Sequence, residues 1–484
     1  MNHDSSHRRA ARTVGAPGLD ATPELIGRTP GRVEVRRKPG GLPTHLSLRR
    51  QVAMVALWPM LEQFMASLVG LVDTALAGHL PVEAVASTNA VSVASFTTWL
   101  MGLCQGALGV GSTALVARAV GANHRREAHA AIGQSMLLGI VWGLCIGAAF
   151  FAAAPLFGAA FGLSGRAHEL CTTYLRLLAA AAPCMSVLFV GASCLRGAGD
   201  FRASVLIMAA VNAVNIAVSV LLVAWGMGVT GVAIGTVAAW TVGAVLMIAK
   251  LLGRRAGAVL HPHRMRWQPQ MARRLVRLGI PSLIEHAAYW AGHAAIMVVI
   301  ARLGDMNLIG AHSIGIRIEA FSFLPGYALG LAAATMAGQY LGAGQPRMAA
   351  RAVWACWVWA AGIMGVLGLL FMAVPRLFVL IITDEPAFTG IVPKLLFMAG
   401  WSQIGLATSM VLSGALRGAG DVKASMVLML ASIWLVRVPA VWFVGLHLGY
   451  GLVGIWFVSS AELMLRGGLF LGRFLQGGWT KVKV

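Results

Sequence analysis

Charge is what this chain has least of. Of its 484 residues only 11% are Asp, Glu, Lys or Arg and just 17 are acidic, against about 25% charged in an ordinary soluble domain. So few charges cannot coat a water-soluble fold of this length, and that class is excluded. Cysteine is nearly as sparse. Cys104, Cys145, Cys171, Cys184, Cys194 and Cys356 show no paired short spacing, so they imply neither a disulfide framework nor a metal site and read as small core residues. His286, His293 and His312 likewise form no metal motif and read as core histidines. No His-Glu-x-x-His pair, Gly-x-Ser-x-Gly elbow or phosphate loop occurs, so nothing marks an enzyme, and no metal or cofactor is expected.

What the chain has in excess is apolar length. Hydrophobic residues make up 58% of it and the mean hydropathy is +0.77. Twelve segments are long enough to cross a bilayer at about 20 residues each. They lie near 49–78, 84–117, 129–155, 168–194, 202–224, 229–252, 272–301, 307–338, 349–374, 388–415, 423–446 and 451–473. The fold class is therefore an all-α integral membrane protein with twelve transmembrane helices. Residues 49–252 form a first lobe and 272–484 a second. The stretch 253–271, with His261-Pro262-His263 and Trp267-Gln268-Pro269, reads as the linker between them. Residues 1–48 are Arg-rich without an apolar run and read as a disordered basic tail that carries no cleavable signal.

Basic residues set the orientation, because they accumulate in cytoplasmic loops. Alternate loops carry Arg118, Arg125 and Arg126, then Arg196 and Arg202, and a dense run from Lys250 to Arg277. The intervening loops hold only Arg166, Arg302, Arg376 and Lys394. Both termini are expected to be cytoplasmic. The net charge of +21 is mostly this topological signal plus the tail, so no nucleic-acid partner is expected.

The two lobes are copies of one unit. Leu-Arg-Gly-Ala-Gly-Asp occurs at Leu195–Asp200 and again at Leu416–Asp421, 221 residues on, from 195 to 416. Val120-Gly121-Ala122 precedes Leu341-Gly342-Ala343 by the same step, and Pro59 pairs with Pro281. Duplicated six-helix units that rock about a site between them are a transporter architecture. Each hexapeptide reads as a structural turn whose Arg and Asp can pair across it.

Buried acids then carry the functional signal. Glu62, Asp73, Glu285, Glu319 and Glu462 lie inside apolar segments, where a carboxylate costs on the order of 2.5 kcal/mol or more and so faces a bundle interior or a wet cavity. Glu62 and Glu285 are repeat partners, which suits a shared structural device. Asp73, Glu319 and Glu462 have no acidic counterpart, since their partner positions hold Ile296, Phe96 and Thr241. Asymmetry of this kind suits a coupling site. Glu62 and Asp73 are 11 residues apart, about three turns, and share one helix face. Pro59 leaves the carbonyl of Val55 unpaired and is the hinge candidate in that helix. Trp290, Tyr289, Tyr327 and Met101 are candidate cavity-lining residues.

Several runs together resemble the MATE family of multidrug and toxic compound extrusion transporters. They are Gly70-Leu71-Val72-Asp73-Thr74-Ala75-Leu76-Ala77-Gly78, the two Arg-Gly-Ala-Gly-Asp turns, Asn212-Ala213-Val214-Asn215, the His312 to Pro325 stretch and the closing Glu462, Arg466, Arg473-Phe474 and Gly478-Trp479. The resemblance covers 49–484. It implies export of organic, often cationic compounds by antiport with H⁺ or Na⁺, from the plasma (bacterial inner) membrane, by a monomer whose partners are small molecules and the bilayer. It assigns ion coupling to Asp73 with Asn212, Asn215 and Thr236 as polar neighbours. Many members carry an Asp four residues after the second Asn, where this chain has Ser219, and some carry a second-lobe acid at the position of Leu406; Glu285 and Glu319 are the nearest substitutes. A flippase for lipid-linked precursors is the alternative of similar architecture.

Overall fold

The computed structural model describes residues 41–42, 46–78, 84–253, 259–260 and 266–482. Among these no strand occurs, as apolar sequence in a bilayer requires: with no water to take up N–H and C=O groups, each segment must satisfy its own. The first lobe comprises α1 (Leu48–Gly78), α2 (Ala84–Gly121), α3 (Arg125–Ala160), α4 (Gly165–Ala180), α5 (Ala182–Ala198), α6 (Phe201–Ala224) and α7 (Gly228–Leu252). The second comprises α8 (Pro269–Ala301), α9 (Met306–Gly342), α10 (Pro346–Ala373), the short α11 (Pro375–Leu380) and α12 (Pro386–Thr389), α13 (Val392–Ala419), α14 (Val422–Leu430), α15 (Val438–Trp442) and α16 (Gly451–Leu475). Ten helices among the described residues are long and apolar enough to span a membrane, and α4 with α5, bent by 54°, makes an eleventh. The 31-residue α1 is about 46 Å long at 1.5 Å per residue. The span from α14 to α15 is widened by π-helical turns at Ala431–Arg437 and Phe443–His447. Pro439 has no N–H to give the carbonyl of Leu435, which disturbs the helical ladder there.

Five of the six residues of the duplicated hexapeptide have an assignable task. Leu195 and Leu416 are fully buried. Gly197 and Gly418 let their helices lie against the Thr113 and Ala334 carbonyls, where a Cβ would overlap. Gly199 and Gly420 end α5 and α13 at φ +93° and +91°, a left-handed cap that glycine adopts without strain. The amides of Gly199 and Asp200 bond back to the carbonyls of Arg196 and Leu195, and the same pattern recurs at Gly420 and Asp421. Asp200 Oδ1 then accepts from the Ala203 amide at 3.2 Å to start α6.

The arginines do not pair with the acids of their own turns. Arg196 Nη1 reaches Glu62 Oε1 on α1 at 2.6 Å, with Ser204 on α6 donating to the same oxygen at 3.0 Å. In the second lobe Arg417 Nη1 reaches Glu285 Oε1 on α8 at 2.8 Å, with Ser425 on α14 donating at 3.2 Å. The turn acids go elsewhere, Asp200 to Lys250 at 3.1 Å and Asp421 to Arg473 at 2.7 Å. Glu62 and Glu285 lie within the apolar spans, where a carboxylate needs a paired cation, and each turn acid finds its own cation, Asp421 being itself buried beside Arg473. Glu62 and Glu285 are thus matching clamps that tie the first helix of each lobe to its fourth and fifth spans.

The lobes meet where α2 lies along α8 and α9 and α1 lies along α9. At the Arg-rich ends the meeting is tight and reciprocal. A Cβ on Gly121 would overlap the Gln339 carbonyl, and one on Gly342 the Arg118 carbonyl. Arg118 Nη2 donates to Ala419 O at 2.8 Å and Val482 O at 3.0 Å, Gln339 to Gly197 O at 2.8 Å, and Tyr340 to Gln51 Oε1 at 2.9 Å. From the tail, Leu42 is buried in the same layer as Val52, Phe201 and Tyr340. Residues 1–40 and 43–45, and 254–258 and 261–265 of the linker, lie outside the described residues.

Candidate functional site

Asp73 lies on α1, 3% exposed, and three neutral side chains from three other helices converge on it. Tyr174 of α4 donates to Oδ2 at 2.9 Å, Thr236 of α7 donates to Oδ2 at 2.8 Å, and Asn215 of α6 donates to Oδ1 at 3.3 Å and to Thr236 Oγ1 at 3.0 Å. The apolar spacing of these helices places the polar residues inward because lipid would not accept them. Ser204 and Asn215 on α6 are themselves 11 residues apart, so they meet Glu62 and Asp73 in register on one face of α1. No Lys, Arg or His among the described residues pairs with Asp73, in contrast to Glu62, Glu285 and Glu462, each of which holds at least one arginine. Beside it, Asn215 Oδ1 and Ser219 Oγ are buried oxygens without a partner. The site therefore offers one negative charge, several oxygens and no compensating cation.

Asn215 and Thr236 stand where the resemblance implied. Asn212 does not: it donates to the carbonyls of Met65 and Met208, both at 2.9 Å, two turns short of Asp73. Its role is to hold α1 to α6. Tyr174 was not anticipated, and nothing in its surroundings on α4 distinguishes it in sequence. Ser219, at the position where the resemblance implied an acid, is fully buried against Gly235 and supplies no second charge. Leu406 is packed in the second lobe's core.

In the second lobe, Glu285 is spent on Arg417, and Glu319 on α9 is half-buried, its carboxylate making no hydrogen bond or ion pair among the described residues. Arg437 and Tyr289 are near enough to Glu319 to act on it electrostatically. Glu462 on α16 is held by Arg466 and Arg437, both at 2.7 Å, and by Ser432. Tyr289 and Trp290 pack against Trp99 and Phe96 of α2, whereas Met101 is buried core. Among the described residues no three His, Cys, Asp or Glu side chains cluster as a metal site. The six cysteines are free thiols, and Cys145 is exposed rather than in a core.

The MatE family model matches residues 59–221 and again 281–443, two copies that begin on Pro59 and Pro281. The chain belongs to the MATE family of multidrug efflux transporters. It is 27% identical over 444 residues to a probable multidrug resistance protein NorM of Thermotoga maritima, covering 90% of this chain and 94% of that one. It is 26% identical over 402 residues to the multidrug resistance protein PmpM of Pseudomonas aeruginosa, covering 80% and 82%. A solved outward-facing multidrug resistance MATE transporter superposes with a TM-score of 0.83 over 92% of this chain and all of that one, at 21% identity. As MATE proteins are transporters, the enzyme class is set aside, and the flippase alternative is not favoured.

Proposed function

We propose that this MATE protein is a secondary antiporter that exports organic, largely cationic compounds, with Asp73 exchanging its positively charged partner between H⁺ or Na⁺ and the compound. One observation carries the reading: among the acids placed inside the spans of the first lobe, Asp73 is buried without a cationic side chain. A carboxylate so placed is costly alone and is relieved by any monovalent cation that reaches it. Tyr174, Thr236 and Asn215 stabilise its charged form through hydrogen bonds, so the site can also be left empty of cargo between half-cycles. Binding a coupling ion and binding a cationic compound are then mutually exclusive, which is the requirement for antiport.

The contacts at Arg118, Gln339 and Tyr340 close the Arg-rich ends of the lobes. With those ends in the cytoplasm, as the distribution of basic loops indicates, this is an outward-facing arrangement of a monomer in the bacterial inner membrane. The test is export of an organic cation from proteoliposomes under a pH gradient and, separately, a Na⁺ gradient, with Asp73→Asn alongside. One of the two gradients drives export by the wild type, and the substitution abolishes it. Unchanged gradient-driven export by Asp73→Asn would refute the assignment.

A further inference from the structure

We propose that the base of the second lobe holds the phosphodiester headgroup of an anionic phospholipid, in a groove lined by Arg273, Arg274, Arg277 and Lys423. The inference is independent of the antiporter reading and concerns a different part of the molecule.

The groove begins with the spacing of α8. Gln270, Arg273, Arg274 and Arg277 recur at steps of three and four, so they share one side of its first turns. With Pro269 they line an open cavity of about 310 Å³. Arg274 and Arg277 also border a second cavity, of about 160 Å³, whose other wall is the turn at 420–423 with Val482. Two cavities that share two guanidiniums make one basic groove where α8 meets the turn between α13 and α14.

Charge in this groove does not balance. The two acids that reach it are each held already, Glu127 of α3 by Arg274 at 2.9 Å and Asp421 by Arg473 at 2.7 Å. Arg273, Arg277 and Lys423 are exposed and form no ion pair among the described residues. Three cations therefore border the two cavities with no acid left to answer them. A guanidinium presents paired donors that match the oxygens of a phosphate, and a lysine adds a point charge, so a phosphate anion is the complement.

The rest of the same helix face favours a lipid over free phosphate. Val276, Ile280 and Ile284 leave α8 on the side of Arg273 and Arg277, and all three are exposed. Val427 on α14, one turn beyond Lys423, is exposed as well, and so is Trp267 just before α8, an indole of the kind that collects at headgroup level. Basic residues at the base with open apolar surface above them match a headgroup and its acyl chains. The duplication supplies a contrast. In the register that pairs Pro59 with Pro281, Arg273 and Arg277 answer to Gln51 and Val55 of α1. Both are buried, and Gln51 accepts from Tyr340 across the seam at 2.9 Å. The first lobe's copy of this surface is covered by protein, while the second lobe's is open and basic.

The test is native mass spectrometry of the purified full-length protein in detergent, titrated with phosphatidylglycerol or with phosphatidylcholine of the same chains. The wild type is expected to hold phosphatidylglycerol at least several-fold more tightly. Arg273→Gln combined with Arg277→Gln should weaken phosphatidylglycerol by about tenfold or more, since each basic residue beside an anionic lipid contributes about fivefold, and leave phosphatidylcholine unchanged. Lys423→Gln weakens it a few-fold, and Arg273→Lys with Arg277→Lys keeps most of the affinity. The control is Arg347→Gln with Arg351→Gln, an exposed pair of the same spacing at the base of α10 that borders neither cavity; it should leave binding unchanged. Equal weakening by the two double glutamine variants would reduce the site to diffuse surface attraction and overturn the proposal, as would no weakening by the first. Displacement of the lipid by an equal concentration of inorganic phosphate would assign the groove to a free anion and overturn the lipid reading.

Discussion

The Glu285–Arg417 clamp makes a quantitative prediction that separates architecture from transport. Replacing Arg417 with Met leaves Glu285, 1% exposed, with only the Ser425 hydroxyl on Oε1, while Oε2 has no partner even in the intact protein. Stranding a buried charge in this way costs about 3–5 kcal/mol. For a lobe of a little over 200 residues each kcal/mol moves the melting temperature by roughly 2–4 °C, so a fall of about 10 °C is expected. Arg196→Met in the first lobe should cost about half as much, because Glu62 is 13% exposed and water can reach it. The assay is thermal unfolding of purified protein in detergent, followed by loss of monodisperse material. Adding Glu285→Gln to Arg417→Met removes the stranded charge and should recover most of the loss. Normal melting with abolished transport in Arg417→Met, or no recovery in the double variant, would refute the assignment of this pair to the scaffold.

Three further outcomes follow from the geometry. Tyr174→Phe removes one of three donors to Asp73 and should lower gradient-driven export several-fold without abolishing it, because Thr236 and Asn215 remain; complete loss in proteoliposomes would contradict this. Asn212→Ala should leave the ion dependence of export unchanged and lower stability by about 1 kcal/mol, since its amide holds Met65 and not Asp73. Gly121→Ala and Gly342→Ala each put a methyl into a carbonyl across the closed layer, so alkylation of a cysteine placed at Ala337, in a background without the native cysteines, should rise at least several-fold; unaltered labelling would show that the layer does not depend on this close approach.

The helical spans were legible because a long apolar run in a bilayer has one solution, and the repeat was legible because both copies kept the same turn. Asp73 with Asn215 and Thr236 was reachable through family resemblance. The Glu62–Arg196 and Glu285–Arg417 pairs were within reach too: both partners recur at nearly the same step, yet pairing each Arg with the nearer acid in its own turn hid the match. Tyr174 and the π-helical stretch at Ala431–Arg437 were not readable. One depends on where α4 lands after the bend into α5, and the other is a single extra residue per turn that leaves no mark in an apolar run containing a proline.

The clamp at Glu62 divides α1 into a foundation and an arm. Pro59 lies below the pin, and Asp73 stands about three turns above it, past a second fastening where Asn212 holds the Met65 carbonyl. Between Pro59 and Asp73 the helix is fastened twice, at Glu62 by Arg196 and Ser204 and at Met65 by Asn212. On the proposed coupling role, an ion at Asp73 would work on the segment beyond Met65, a short lever above two fastenings, while the base of the first helix stays bound to the lobe.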